Sequence, residues 1–289
     1  MTSLAVFGTG RIGGGVAARA ASSGLIDHLV LYDSNENLLE AQELDIHHMR
    51  CQVSISIDKA ELSDCDILLY TAGFPRNLAI KTRADLLESN LPAATDFISH
   101  LKNFSGICIV VSNPVDILTW YLWKKTGISR NRIIGFGGQL DSARLQCISL
   151  LHGISCDGIV LGEHGEHQVP IFSRSEGSVN YNTRDEIVQK LRGASMEIIK
   201  GKGATEYAPV FHIWSLIQSI ITDSQTLLPC SAVLDGEFGF DNCSLGVPVT
   251  IGREGILSIN EWELDEWERT SLRNAANHIG TLCRSIPNV

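Results

Sequence analysis

Short apolar runs recur along the first half of the chain. Residues 4–8, 28–33, 54–57, 67–72, 107–111 and 133–136 are rich in Val, Ile and Leu, and each runs into Gly, Asn or Asp. Most are continuously apolar and do not alternate, which suits strands of a parallel sheet covered on both faces. Between them, 11–22, 37–48, 83–104 and 116–126 carry helical spacing. Strand–helix alternation of this kind predicts an α/β doubly wound parallel sheet of the Rossmann type. Pro92 falls inside the third helix and is expected to kink or split it.

After about residue 140 the pattern changes. A helix over 140–151 is expected to bridge the two halves. Amphipathic helices are predicted over 184–201 and 205–222, the second with Val210, Phe211, Trp214, Ile217 and Ile221 on one stripe. Strand-like pieces follow at 231–234 and 246–251, with turns at Asp235-Gly236 and 252–255, and then a last helix over 262–284. This predicts a mixed α+β second domain. The boundary is placed at 138, giving 1–138 and 139–289. No internal repeat or low-complexity linker is evident.

Composition narrows the functional classes. Of 289 residues, 44% are hydrophobic and 19% charged, as in an ordinary globular domain pair. The net charge of −10, with no Lys/Arg-rich run, argues against nucleic-acid binding. No stretch reaches the roughly 18 apolar residues of a membrane span; the longest candidate, 107–123, is broken by Asn113, Pro114 and Asp116. The opening MTSLAVFGTG enters a strand-like run without a basic segment or cleavage pattern, so no signal peptide and a cytoplasmic location are expected. The eight cysteines form no C-x-x-C pair and are read as reduced core thiols.

The first strand ends in Gly8-Thr9-Gly10-Arg11-Ile12-Gly13, a G-x-G-x-x-G between strand and helix. Its glycines allow a tight turn, a close approach of pyrophosphate to backbone, and helix–strand packing. The helix N-terminus offers free N–H groups to an anion. Asp33 follows Gly13 by twenty residues and ends the second strand. A carboxylate there can bind ribose hydroxyls and repels a 2′-phosphate, which favours NAD over NADP. Taken singly, the loop could be a Gly-rich turn and Asp33 a loop cap; their common register favours the dinucleotide reading.

Three further stretches carry chemistry: SNPVD (112–116), GQLDSAR (138–144) and GEHGEH (162–167). Asp141 and Arg144 alone would pass for a helix cap and a solvated charge, and Asn113 for a turn residue before Pro114. His164 and His167 stand three apart in a segment broken by Gly165, not four apart on a helix as in the H-E-x-x-H zinc motif. No Cys or third His is near in sequence, so no metal is expected here. Together with GTGRIG, TAGFPR (71–76), GKGATEYAP (201–209) and LGVPVTIG (245–252), these motifs run the length of the chain in one order. That set resembles the lactate/malate dehydrogenase family, and most closely its archaeal and bacterial malate dehydrogenases.

The resemblance implies an NAD-dependent oxidoreductase acting on a 2-hydroxy acid. His164 is then the acid/base, suited to it by a reference pKa near neutrality. Asp141 orients its ring, and Arg144 clamps the substrate's C1 carboxylate. Asn113 bonds the reacting oxygen or the cofactor ribose, and Thr205 lies on the pocket wall. Cofactor contacts are implied for Thr9, Arg11 and Ile12 in the loop, for Thr71, Ala72 and Gly73, and for Asn90 and Val111. In the loop after the fourth strand, Arg76 matches the arginine that binds a distal carboxylate and Arg83 the one that polarises the carbonyl. A dicarboxylate needs that second cation, because a carboxylate unpaired in a closed pocket is costly; the expected reaction is therefore malate/oxaloacetate. The loop is one residue longer than the family pattern, with NLAIK in its centre, and the family's H-G-D reads His164-Gly165-Glu166. A lactate or other 2-hydroxy-acid dehydrogenase is the alternative, and an NAD(H) sensor without turnover is the non-enzyme alternative. A homodimer or homotetramer is implied.

Overall fold

The computed structural model describes residues 1–74, 83–155, 158–175 and 177–286, except the side chains of 83 and 84. The first half runs β1 (Ser3–Phe7), α1 (Arg11–Ala21), β2 (His28–Tyr32), α2 (Glu36–His48), β3 (Ser54–Ser56), β4 (Ile67–Tyr70), α3 (Arg83–Ser99), β5 (Ile107–Val110), α4 (Val115–Thr126) and β6 (Ile133–Gly135). The second runs α5 (Gly138–Leu151), β7 (Val160–Gly162), β8 (Gln168–Pro170), α6 (Tyr181–Lys202), α7 (Tyr207–Ile221), β9 (Thr226–Asp235), β10 (Asp241–Gly252), β11 (Gly255–Ile259) and α8 (Glu266–Ser285).

Strands β3-β2-β1-β4-β5-β6 lie in that order and pair parallel. The chain leaves β1 in one direction for β2 and β3, then crosses back to β4 on its other side. Such a switch point opens a crevice at the carboxyl ends of β1 and β4, where Gly8 and Thr71 follow the strands. The central strands are buried on both faces, β4 and β5 at every position, as their unbroken apolar runs require.

The sheet does not stop at β6. Gly135 pairs with Ser231 of β9, and β9, β10, β7 and β8 continue it antiparallel, with β11 on β10. Helix α4 runs beneath this junction and is buried from Val115 to Leu122. It is apolar all round because sheet and helix cover it on all sides. Gly127 ends it in the left-handed conformation, with Lys124 and Lys125 in its last turn.

Several elements differ from their sequence patterns. Helix α3 ends at Ser99 and is not split at Pro92. Glu88 and Pro92 are both exposed, so the carbonyl that lacks its usual donor faces water, while buried Leu86, Leu87, Ala94 and Phe97 hold the other side. Helix α8 starts at Glu266 rather than 262, because Asp265 and Glu268 form a reciprocal capping box. Helix α6 starts three residues early, on the Asn180 cap. On α7 the buried face is Pro209, Ile213, Trp214, Leu216, Ile217 and Ile220, and Phe211 is 63% exposed. More than half of that helix surface is apolar, so periodicity alone does not choose the inner face. Strands β7 and β8, of three residues each, and β11 are not predicted by the sequence pattern. Among the described cysteines none is paired, and Cys65, Cys108, Cys230, Cys243 and Cys283 are buried, but Cys147 is exposed on α5. Among the described residues, no helix is long and apolar enough to cross a membrane.

Candidate active site

The glycine loop joins β1 to α1 at the switch point. Gly8 turns at φ +99°. A Cβ at Gly13 would lie 1.9 Å from the Gly8 carbonyl oxygen and 2.6 Å from Thr71 Oγ1, whereas one at Gly10 would meet no protein atom within 4 Å. Gly13 is therefore needed for packing, and Gly10 keeps space open above the N-terminus of α1, where an anion can reach the backbone N–H groups. Asp33 organises the same loop. Its Oδ2 accepts from the Thr9 N–H at 2.7 Å, and its Oδ1 from the Asn35 N–H at 3.0 Å. Thr9 is fully buried, Ile12 packs on the core, and Arg11 reaches across to Glu206 at 3.2 Å. Glu206 follows Thr205, so the second half of the chain closes one side of the loop.

A second wall comes from residues 71–74. Thr71 Oγ1 donates to the Gly8 carbonyl at 2.6 Å, Ala72 lies against Gly8, and the Ala72 carbonyl accepts from Ser112 at 2.6 Å. The Val111 N–H bonds the Tyr70 carbonyl. Asn90 is buried; its Oδ1 accepts from the Phe74 N–H at 2.6 Å, and its Nδ2 donates to the Asn113 carbonyl at 2.7 Å. It thus ties the strand ends of β4 and β5 together beside Gly73. Arg76 and the rest of 75–82 lie outside the described residues, as does the side chain of Arg83 at the start of α3.

The acid/base candidates meet between α5 and the β7–β8 turn. Nδ1 of His164 lies 2.6 Å from Asp141 Oδ2, and Arg144 Nη1 lies 3.1 Å from Asp141 Oδ1. A Cβ at Gly137 would fall 2.6 Å from His164 Cγ, so the imidazole can rest on this backbone only because residue 137 is glycine. Asp141 is 1% exposed. Burial alone would raise its pKa, but His164, Arg144 and a hydrogen bond from Gln168 outweigh that and hold it below the ordinary carboxylate value. His164 and Arg144 keep 19% and 14% of their side chains exposed, enough for a substrate to reach them. His167 takes no part in this pair; its Nδ1 faces Glu163.

Residue by residue, the fold brings Asp141, Arg144 and His164 into one cluster, and the loop glycines, Asp33, Thr71, Ala72, Gly73, Asn90, Val111 and Asn113 into one crevice. The lactate/malate dehydrogenase NAD binding domain matches residues 2–135, and the alpha/beta C-terminal domain of the same family matches 139–281. The chain belongs to the lactate/malate dehydrogenase family. It is 33% identical to the malate dehydrogenase of Haloferax volcanii, over 96% of this chain and 97% of that one. Among solved structures, the minor L-lactate dehydrogenase of Enterococcus mundtii superposes with a TM-score of 0.90 at 26% identity, covering 100% and 99% of the two chains. The malate dehydrogenase of Cryptosporidium parvum gives 0.89 at 26%, with the same coverage.

Within this family member, three supporting residues had no assigned role in the sequence. Asp116 is 2% exposed; its Oδ2 accepts from the His164 backbone N–H at 2.8 Å and its Oδ1 from Ser231 at 2.6 Å. Burial pushes its carboxyl up to about 6, against those two hydrogen bonds. Gln168 is buried and bonds Asp141. Ser231 stands on β9, at the point where the two halves of the sheet pair. The SNPVD motif contained Asp116, but its partners lie 48 and 115 residues away, beyond any spacing argument.

Proposed function

We propose that this chain is an NAD-dependent L-malate dehydrogenase that interconverts L-malate and oxaloacetate. The observation that carries this is the Asp141–Arg144–His164 cluster. Asp141 engages Nδ1 of His164, and Nε2 would exchange a proton with the substrate's 2-hydroxyl oxygen. Arg144 would grip the C1 carboxylate, with Asn113 toward the reacting oxygen and Thr205 on the wall. NAD fits the crevice between β1 and β4, because the space at Gly10 is open and the N-terminus of α1 points into it. Gly8, Gly10, Asp33, Thr71, Gly73, Asn90 and Val111 would hold it, and Asp33 would disfavour NADP. Bound there, NAD supplies the hydride acceptor. Arg76 supports a dicarboxylate over a monocarboxylate, and Arg83 would polarise the carbonyl. The same reading divides the chain at 138, places it in the cytoplasm, and makes it a homodimer or homotetramer.

The test is NADH oxidation with oxaloacetate or pyruvate offered separately. A large preference for oxaloacetate is expected. A preference for pyruvate would assign the chain to the lactate branch, and NADH binding without turnover on either would make it a sensor.

A further inference from the structure

We propose that Glu163, His167 and His278 form a binding site for one first-row divalent cation of the Zn²⁺ type, set behind the acid/base histidine and separate from it. One ligand atom from each lies within 4.8 Å of the other two. His167 Nδ1 is 2.6 Å from Glu163 Oε2. The His167 and His278 rings lie 4.3 Å apart at 28°.

The backbone makes this a built arrangement. Glu163 and His167 flank the β7–β8 turn, which closes through the Glu163 N–H on the His167 carbonyl at 3.2 Å. Both side chains therefore leave the same end of the hairpin. Helix α8 packs against that hairpin: a Cβ on Gly162 would touch Ala275 at 3.5 Å. His278 is three residues beyond Ala275 and so faces the same way. All three positions are set by a hairpin and a helix, not by a long loop.

A carboxylate with two imidazoles is a donor set that holds zinc and similar ions with a position left for water. Bonds of about 2.0–2.1 Å place donors roughly 3.3 Å apart in a tetrahedron. The Glu163–His167 contact must open and His278 must draw in, both by side-chain rotation. The proton between Nδ1 of His167 and Glu163 would leave as the ion enters. Glu163 is 3% exposed, whereas the His167 side chain is 37% exposed and gives the ion a way in. His164 stays outside this set, since its Nδ1 faces Asp141. A bound ion would pin the turn that carries His164 to α8, which predicts stabilisation on binding.

The experiment titrates tag-free, chelator-stripped full-length protein with Co²⁺ and then Zn²⁺. One Co²⁺ per chain is expected, with visible ligand-field bands that Zn²⁺ abolishes. Zn²⁺ should raise the thermal midpoint. Loss of even an outer partner costs about 10–100-fold in metal affinity, so His278→Ala should weaken binding at least about tenfold and remove the midpoint shift. Its metal-free melting curve checks folding, and His167→Ala serves as the second variant should His278→Ala fail to fold. Absence of bands, or equal binding by wild type and variant, overturns the proposal; equal binding would assign the ion to thiols such as exposed Cys147.

Discussion

Nδ1 of His164 lies 2.6 Å from Oδ2 of Asp141, and that contact joins the turn after β7 to the first turn of α5. Asp141 is held below the ordinary carboxylate value against its own burial. It therefore stays ionised at neutral pH and keeps the imidazole proton on Nδ1. Neither segment carries this chemistry alone, since the two residues are 23 positions apart and come from elements of different type.

His164→Asn and Asp141→Asn should each lower kcat on oxaloacetate by about 10²- to 10⁴-fold, the range for positioned acid/base groups. The double variant should lose little more, because the pair acts as a unit. NADH binding, read by fluorescence titration, should not change. Near-normal turnover in either single variant would remove His164 from the acid/base role.

Gly10→Ala and Gly13→Ala separate ligand space from packing space. The Gly10 Cβ meets no protein atom within 4 Å, and the Gly13 Cβ meets the Gly8 carbonyl at 1.9 Å. Gly13→Ala should therefore cost about 1–3 kcal/mol of stability or more in urea unfolding. Gly10→Ala should melt like wild type but bind NADH about tenfold more weakly, a difference of about 1.4 kcal/mol. Unchanged NADH affinity in Gly10→Ala would place the dinucleotide elsewhere.

The capping box at the start of α8 makes a pH prediction. Burial would raise Asp265, but the backbone N–H groups of Glu268 and Trp267 and the Arg184 guanidinium outweigh it and lower its pKa from 3.8. A depressed carboxyl contributes stability that is present above its unfolded value and is lost as pH falls through the folded one. Asp265→Ala should cost about 1 kcal/mol at neutral pH, a usual cap value. The gap from wild type should close below about pH 4, near the reference carboxylate range. A gap independent of pH would mean that the loss is not of the charged cap.

Which parts were legible in sequence follows from the range of the interactions. The Rossmann half could be read because its central strands are continuous apolar runs and the turns carry their own glycine or acid, as at Gly8, Gly13 and Asp33. The two start sites that shifted most, Tyr181 and Glu266, are set by caps at Asn180 and Asp265, which a period count does not see. The inner face of α7 could not be chosen, because Phe211 and Ile213 are equally apolar and only the neighbouring helix and strands decide which is covered. Strands β7 and β8 have three residues each, too few to show alternation.

By itself, the sequence determined the strand–helix alternation, the phosphate loop with its acid, and the types of group that an acid/base site needs. These are properties of residues close along the chain, where backbone sterics and hydrophobic periodicity act directly. Tertiary structure alone decided that Asp116 would hold the His164 backbone, that Gln168 would bond Asp141, that Ser231 would stand where the two halves of the sheet pair, and that His278 would come to Glu163 and His167 from far along the chain. Those pairings depend on how helices and strands pack in three dimensions, and packing is set by the summed burial of the whole core rather than by any local pattern.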